Sequence, residues 1–209
     1  MSAPGYLTTI KKSGTATSMT SEAMSTNSTV SNTFQLDAAA KRILNRDGTF
    51  VVREAGTTAP VSAASVVIDY LFGKVTLSSA TTSAITLSGS YMPMTEIAGA
   101  NSFTLEQIRD SLDDTDFTSV GWRSRIVGIK DVSLTLGRWQ TLGDDFFSLI
   151  DSGESVVAEI QPGGAGDVGR GWFKIETEGF SGDIGSLESA DVTLQVDAST
   201  LTDFSWGSA

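Results

Sequence analysis

The stretch DVSLTLGRWQTLGDDFFSLIDSGESVVAEIQP, residues 131–162, decides how the chain is read. Val132, Leu134 and Leu136 alternate with Ser133 and Thr135, the period of two that predicts a half-buried strand. Thr141 stands three residues before Asp144, close to a capping box, and Leu142, Phe146, Leu149 and Ile150 fall on one helical face. Gly153 lies where a helix C-terminus favours a residue without a Cβ. A helix of about ten residues is marginal by itself, so its apolar face is expected to pack on a sheet. Residues 156–160 then resume a strand. Strand, helix, strand is the predicted unit, one helix held against a β-sheet.

Outward from that unit the signals are mostly β. Residues 66–68 and 74–77 flank Asp69-Tyr70-Leu71-Phe72-Gly73, a predicted hairpin with Gly at its tight point, and residues 85–91 alternate with Ile85, Leu87 and Gly89 on one face. Phe50-Val51-Val52 reads as a strand after the Asp47-Gly48 turn signal, whereas residues 34–46 carry some helical pattern through Leu36, Ala39, Ala40, Ile43 and Leu44. Residues 103–108 lean to strand, turning at Asp113-Asp114, and residues 122–129 form another. Residues 172–180, with Phe173 and Ile175 inward, and 191–197, with Val192, Leu194 and Val196 inward, complete the set. Many short strands with turns between them and one good helix predict a mainly β fold, a β-sandwich or partly closed barrel with a flanking helix and extended loops or arms.

The 209 residues are read as an arm over 1–33 and one domain over 34–209. Residues 13–33 hold 12 Ser/Thr in 21 positions, too few large apolar groups to offset ordering entropy unless another surface covers them. Net charge is −11, from 25 Asp/Glu against 14 Lys/Arg, and residues 101–209 carry 19 of those acids with only 7 bases. Such a surface repels phosphate, which argues against gripping nucleic acid but not against letting it slide past. The absence of Cys and His removes disulfides, thiol chemistry, thiolate zinc sites and the commonest general base. No membrane span or signal segment is expected.

Three motifs invite a site and are better explained without one. Gly164-Ala165-Gly166-Asp167-Val168-Gly169 is a literal GxGxxG, but the residues after it alternate like a strand, so no helix N-terminus follows to receive a pyrophosphate. Asp113, Asp114 and Asp116 lack the Gly and the distant Glu of a calcium loop and read as a solvated acidic turn. Asp144 and Asp145 suit a helix N-terminus. Glu159, Glu176, Glu178, Asp191 and Asp197 recur opposite apolar positions of the last strands, as expected of a solvated acidic sheet face or of a surface past which a polyanion moves. No residue comes with an activating partner, so no enzyme, cofactor or metal site is expected.

Over residues 69–185 the order of short pieces resembles the major tail tube protein of long-tailed, siphovirus-type bacteriophages. The pieces are Asp69-Tyr70-Leu71-Phe72-Gly73-Lys74-Val75, the Ile85 to Tyr91 strand ending in Met92-Pro93, Asp113 to Phe117, and Ile126-Val127-Gly128-Ile129-Lys130-Asp131-Val132-Ser133-Leu134. Leu149-Ile150-Asp151-Ser152-Gly153-Glu154 and Gly179-Phe180-Ser181-Gly182-Asp183-Ile184-Gly185 follow. The resemblance implies a sandwich with a helix at its side and a homo-oligomer of hexameric rings stacked into a tube. Tape measure, tail terminator and tip proteins are the implied partners, and DNA passes through the virion tail without tight binding. It gives the five acids a lumen-facing role, makes residues 52–66 and 92–103 inter-subunit arms, and places synthesis in the host cytoplasm. No appended immunoglobulin-like domain is expected after Trp206. The same core resembles the tube protein of type VI secretion. A glycan- or receptor-binding sandwich of a virion, with Trp122, Trp139, Trp172 or Trp206 as its platform, is the other class of reading.

Overall fold

A computed structural model describes residues 8–26, 31–97, 100–114, 122–123, 125–139, 146–164, 166–183, 188–199 and 203–208. The protein is mainly β, and its contacts divide into two units. The first holds residues 1–97, 156–172 and 197–209, the second 98–155 and 173–196.

The first unit contains a six-stranded sheet in the order β4-β7-β2-β3-β6-β5. Its members are β2 (Thr17–Ser25), β3 (Ser31–Leu36), β4 (Val51–Glu54), β5 (Val66–Asp69), β6 (Lys74–Thr81) and β7 (Ile85–Tyr91). The β5–β6 hairpin pairs Val66 with Leu77 and Asp69 with Lys74, as predicted. Asp69 Oδ1 accepts from the backbone N–H groups of Leu71 (3.0 Å) and Phe72 (3.1 Å), which fixes the turn. Gly73 closes it at φ 60°, where a Cβ would lie 2.7 Å from the Arg42 carbonyl oxygen. Met19, Met24, Phe34, Leu36, Ile85 and Leu87 are among the buried core of this sheet.

Two sequence expectations differ here. The Ser/Thr-rich stretch contributes β2 and β3, and Met19 and Met24 both face the core although they are five positions apart. A register shift between Met19 and Glu22, with Ser21 at φ 50°, inserts a bulge that changes the side-chain phase. The Ser21 N–H donates to Ser88 Oγ at 2.9 Å. The helical pattern over 34–46 gives no α-helix. Phe34 and Gln35 pair with Val75 and Lys74 in β3, and only a 3₁₀ turn, Ala39–Lys41, follows. Ladder pairing on Phe34 and Leu36 overrides the weak local periodicity.

The second sheet runs β8-β1-β11-β12-β13-β10-β9, with β14 beside β12. Its strands within the first unit are β1 (Thr9–Ser13), β8 (Met94–Glu96), β11 (Val156–Gln161), the start of β12 (Asp167–Ser181) and β14 (Ser205–Ser208). β11 is buried from Val156 through Ile160, the pattern of a central strand covered on both faces. Val157, Val168 and Trp172 meet Leu71, Phe72, Ile43 and Met92 in a second cluster that joins the two layers of this unit. The GxGxxG stretch begins in the turn after β11 and enters β12 at Asp167, with Gly166 at φ 101° and Ala165 outside the described residues.

The second unit uses β12 from Phe173 onward, β13 (Ser189–Val196), β10 (Arg125–Trp139) and β9 (Ala100–Asp113). Leu134 and Leu136 of β10 lie opposite Leu194 and Val192 of β13, and all four are buried. β10 starts at Arg125 rather than Trp122. The helix α1 (Phe146–Ser152) ends as predicted at Gly153, φ 64°, whose N–H donates to Leu149 O and Ile150 O. Leu149 and Ile150 are half-buried, while Leu142, Thr141, Asp144, Asp145, Asp116 and the Phe146 side chain lie outside the described residues. β10 and β11 flank the helix in sequence but do not pair: β10 lies between β13 and β9, β11 between β1 and β12. Among the described residues no helix is long and apolar enough to cross a membrane.

Candidate assembly surface

The five acids expected on one open face are placed in three different settings. Glu159 is buried: its Oε1 accepts from Lys11 Nζ at 2.7 Å, and its Oε2 from Arg170 Nε at 2.8 Å and Nη2 at 2.6 Å. Arg170 also donates from Nη1 to Leu71 O at 3.0 Å and lies over the Phe72 ring, 5.1 Å from its centroid. Burial pushes the Glu159 carboxyl up, but the Lys11 hydrogen bond and the charge and hydrogen bond of Arg170 outweigh it and hold the group below the usual carboxylate range. Lys11 stands between Glu159 on β11 and Glu96 on β8, so Glu96, Lys11, Glu159 and Arg170 form a row of alternating charge across four strands.

The Glu178 side chain is buried too. Strict alternation would put it on the same side as Glu176, away from Phe173 and Ile175. The register slips between Ile175 and Thr177, so Glu178 comes opposite Val192 on the apolar face. There it pairs with Arg138, the two side chains 1% and 0% exposed. Asp197 is held by Arg46, whose Nη1 also donates to Asp197 O at 2.7 Å and whose guanidinium lies over Trp172. Of the five, only Glu176 and Asp191 stand exposed. Among the described residues no three His, Cys, Asp or Glu side chains gather as a metal site.

The surface that the sequence reading missed is the far half of the β9–β10 pair. From Ile108 and Asp131 outward this is a two-stranded ribbon, exposed along both strands. It carries Ile108, Leu112, Ile126, Val127 and Ile129 at 48–78% exposure. Cross-strand partners share a face: Leu112 with Ile126 and Ile108 with Asp131 on one side, Ser111 with Val127 and Arg109 with Lys130 on the other. The slip between Val127 and Lys130 occurs at Gly128, where a Cβ would lie 2.8 Å from Asp110 Cβ. Apolar side chains thus project from both faces. A two-stranded ribbon with solvated Ile and Leu is at best marginal in water, and such patches mark interaction sites. Among the described residues β9 is also the last strand of its sheet, with its outer edge open. The available signal was the density of Ile, Leu and Val among charges over 103–129, without the clean alternation of a half-buried sheet.

A second apolar surface belongs to the first unit, a groove of 740 Å³ lined by Phe50, Val52, Val61, Val66, Ile68 and Tyr70 among others. Of the four Trp, Trp172 is core, whereas Trp122 (81%), Trp139 and Trp206 are exposed.

No known protein family and no curated protein matches the chain. Among solved structures it is similar to a chain in the virion of a native gene transfer agent particle, at 16% identity and a TM-score of 0.48, covering 55% of this chain and 89% of that one. It is likewise similar to a chain in the tail of an empty gene transfer agent particle of C6 symmetry, at 16% identity and 0.48, covering 56% and 87%.

Proposed function

We propose that the protein is a structural subunit of a phage tail tube, one of the copies that form a ring, the hexamer the sequence resemblance implies, with rings stacked into a hollow conduit for DNA. What supports this is the β9–β10 ribbon: apolar on both faces, solvated in the single chain and flanked by an open strand edge, it has the chemistry of a surface covered by neighbouring copies. The mainly β fold and the ordered resemblance over 69–185 agree with that role. In this reading a tape measure and the terminator and tip proteins are the other partners. Of the five acids, Glu176 and Asp191 are the ones whose exposed charge is available to repel DNA in the bore. Glu159, Glu178 and Asp197 hold the subunit together instead.

Negative-stain electron microscopy and sedimentation of the purified protein over a range of concentrations test the proposal. Rings or hollow rods are expected. A particle that stays monomeric at every concentration and salt tried overturns it.

A further inference from the structure

We propose that the two faces of the β9–β10 ribbon are the two halves of one contact, the basic face of one copy seating on the acidic face of the next. The inference rests on the reading of the chain as a self-assembling subunit, and is independent of what passes through the assembly.

The argument starts from the register. β9 is regular from Ser102 onward, so Arg109, Ser111 and Asp113 share one face and Glu106, Ile108, Asp110 and Leu112 share the other. On β10, Lys130 lies opposite Arg109 and Arg125 opposite Asp113, while Asp131 lies opposite Ile108 and Ile126 opposite Leu112. The first face therefore carries three bases, Arg109, Lys130 and Arg125, against the single acid Asp113. The second carries three acids, Glu106, Asp110 and Asp131, and no base. All of these side chains are exposed. Each face also offers apolar area, Val127 on the basic one and Ile108, Leu112 and Ile126 on the acidic one.

Arg109 directly opposite Lys130 is unfavourable within one chain, because like charges across a strand pair repel. An acidic partner surface relieves that repulsion. A contact that uses the same face twice, as a two-fold dimer does, would set three acids against three acids or bases against bases. Only the basic-to-acidic arrangement satisfies both faces at once. Such a contact is heterologous, and repeated it closes a ring or continues as a filament. The apolar side chains supply the buried area, and the charges set which face meets which.

Paired charge reversals test this in the full chain. One variant reverses the basic face (Arg109→Glu with Lys130→Glu), the other the acidic face (Glu106→Lys with Asp110→Lys). Every position is exposed, so circular dichroism and thermal melting should match the parent. By sedimentation at low ionic strength, each variant alone should self-associate at least about 100-fold more weakly than the parent, and an equimolar mixture should recover to within about tenfold. In the mixture every contact again joins opposite charges. Either variant assembling like the parent, or a mixture that stays dispersed, overturns the contact while leaving the assembly reading in place. A parent chain that never self-associates overturns both. Binding of labelled duplex DNA that is lost only with the basic-face variant, with assembly unchanged, would assign that face to a polyanion and also overturn it.

Discussion

Replacing Glu159 by Gln tests the charge row at the centre of the first unit. The side chain is 5% exposed, as is that of Arg170, and its two oxygens accept three hydrogen bonds from Lys11 and Arg170. Gln keeps the volume, removes the charge, and turns an NH₂ donor toward one of two cationic donors. Arg170 stays buried, with Leu71 O as its other acceptor, and Lys11, one third exposed, can turn to water. Breaking a buried pair from one side costs about 3–5 kcal/mol, because an uncompensated charge remains. For a chain of this length each kcal/mol moves Tm by about 2–4 °C, so a fall of roughly 6–20 °C is expected by calorimetry or circular dichroism. Removing both charges, Glu159→Leu with Arg170→Met, should recover most of it, since apolar replacement of a whole buried pair is close to neutral. The acid limb provides a second reading. The folded pKa of Glu159 is lowered, so its contribution is present above the unfolded value near 4.5 and lost as pH falls through the lower folded value. The stability gap between parent and Glu159→Gln should therefore be full at neutral pH and narrow below about pH 4.5. A Gln variant that melts within 2 °C of the parent (below about 1 kcal/mol) would refute the ion-pair account.

Glu176 and Glu178 of β12 should behave differently although they are two positions apart. Glu176→Lys should leave Tm within about 2 °C, because the bulge holds the side chain in water, whereas Glu178→Lys faces Arg138 in the apolar layer and should cost about 3–5 kcal/mol in urea titration. Under the proposed tube role, combining Glu176→Lys with Asp191→Lys should leave the fold intact and slow DNA release from particles carrying the variant, as measured by dye uptake. Gly73→Ala combines positive φ with a Cβ 2.7 Å from the Arg42 backbone, and should destabilise by about 1–3 kcal/mol in the same titration.

Period-two strands were legible wherever the ladder is regular: Val132, Leu134, Leu136 on β10, Ile85 and Leu87 on β7, Val192 and Leu194 on β13. Bulges hid the rest. At Ser21 and Glu176 one extra residue shifts the phase, so Met19 with Met24, and Ile175 with Glu178, share a face that alternation assigns to opposite sides. Glu159 was misread for another reason. Its strand is covered on both faces, so an acid set in Val156-Val157-Ala158-Glu159-Ile160 has no solvent side and must find cations. A lone acid in an unbroken apolar run was the available signal. β1 and β14 were not legible, since Thr9–Ser13 offers one apolar side chain and Ser205–Ser208 only Trp206; both become strands because neighbours present them an edge.

The place of β1 has a temporal consequence. Lys11 and Glu159 are 148 residues apart in sequence, and Ile10 sits opposite Ile160. During synthesis at about 5–20 residues per second, the first strand to leave the ribosome waits roughly 7–30 s for the edge that receives it. β8, which pairs with its other side, offers only Met94–Glu96 before then. β1 is thus made early and locked only once residues 156–161 have followed it. Throughout that wait, the twin lysines Lys11-Lys12 keep an unclaimed strand charged and discourage the wrong partners.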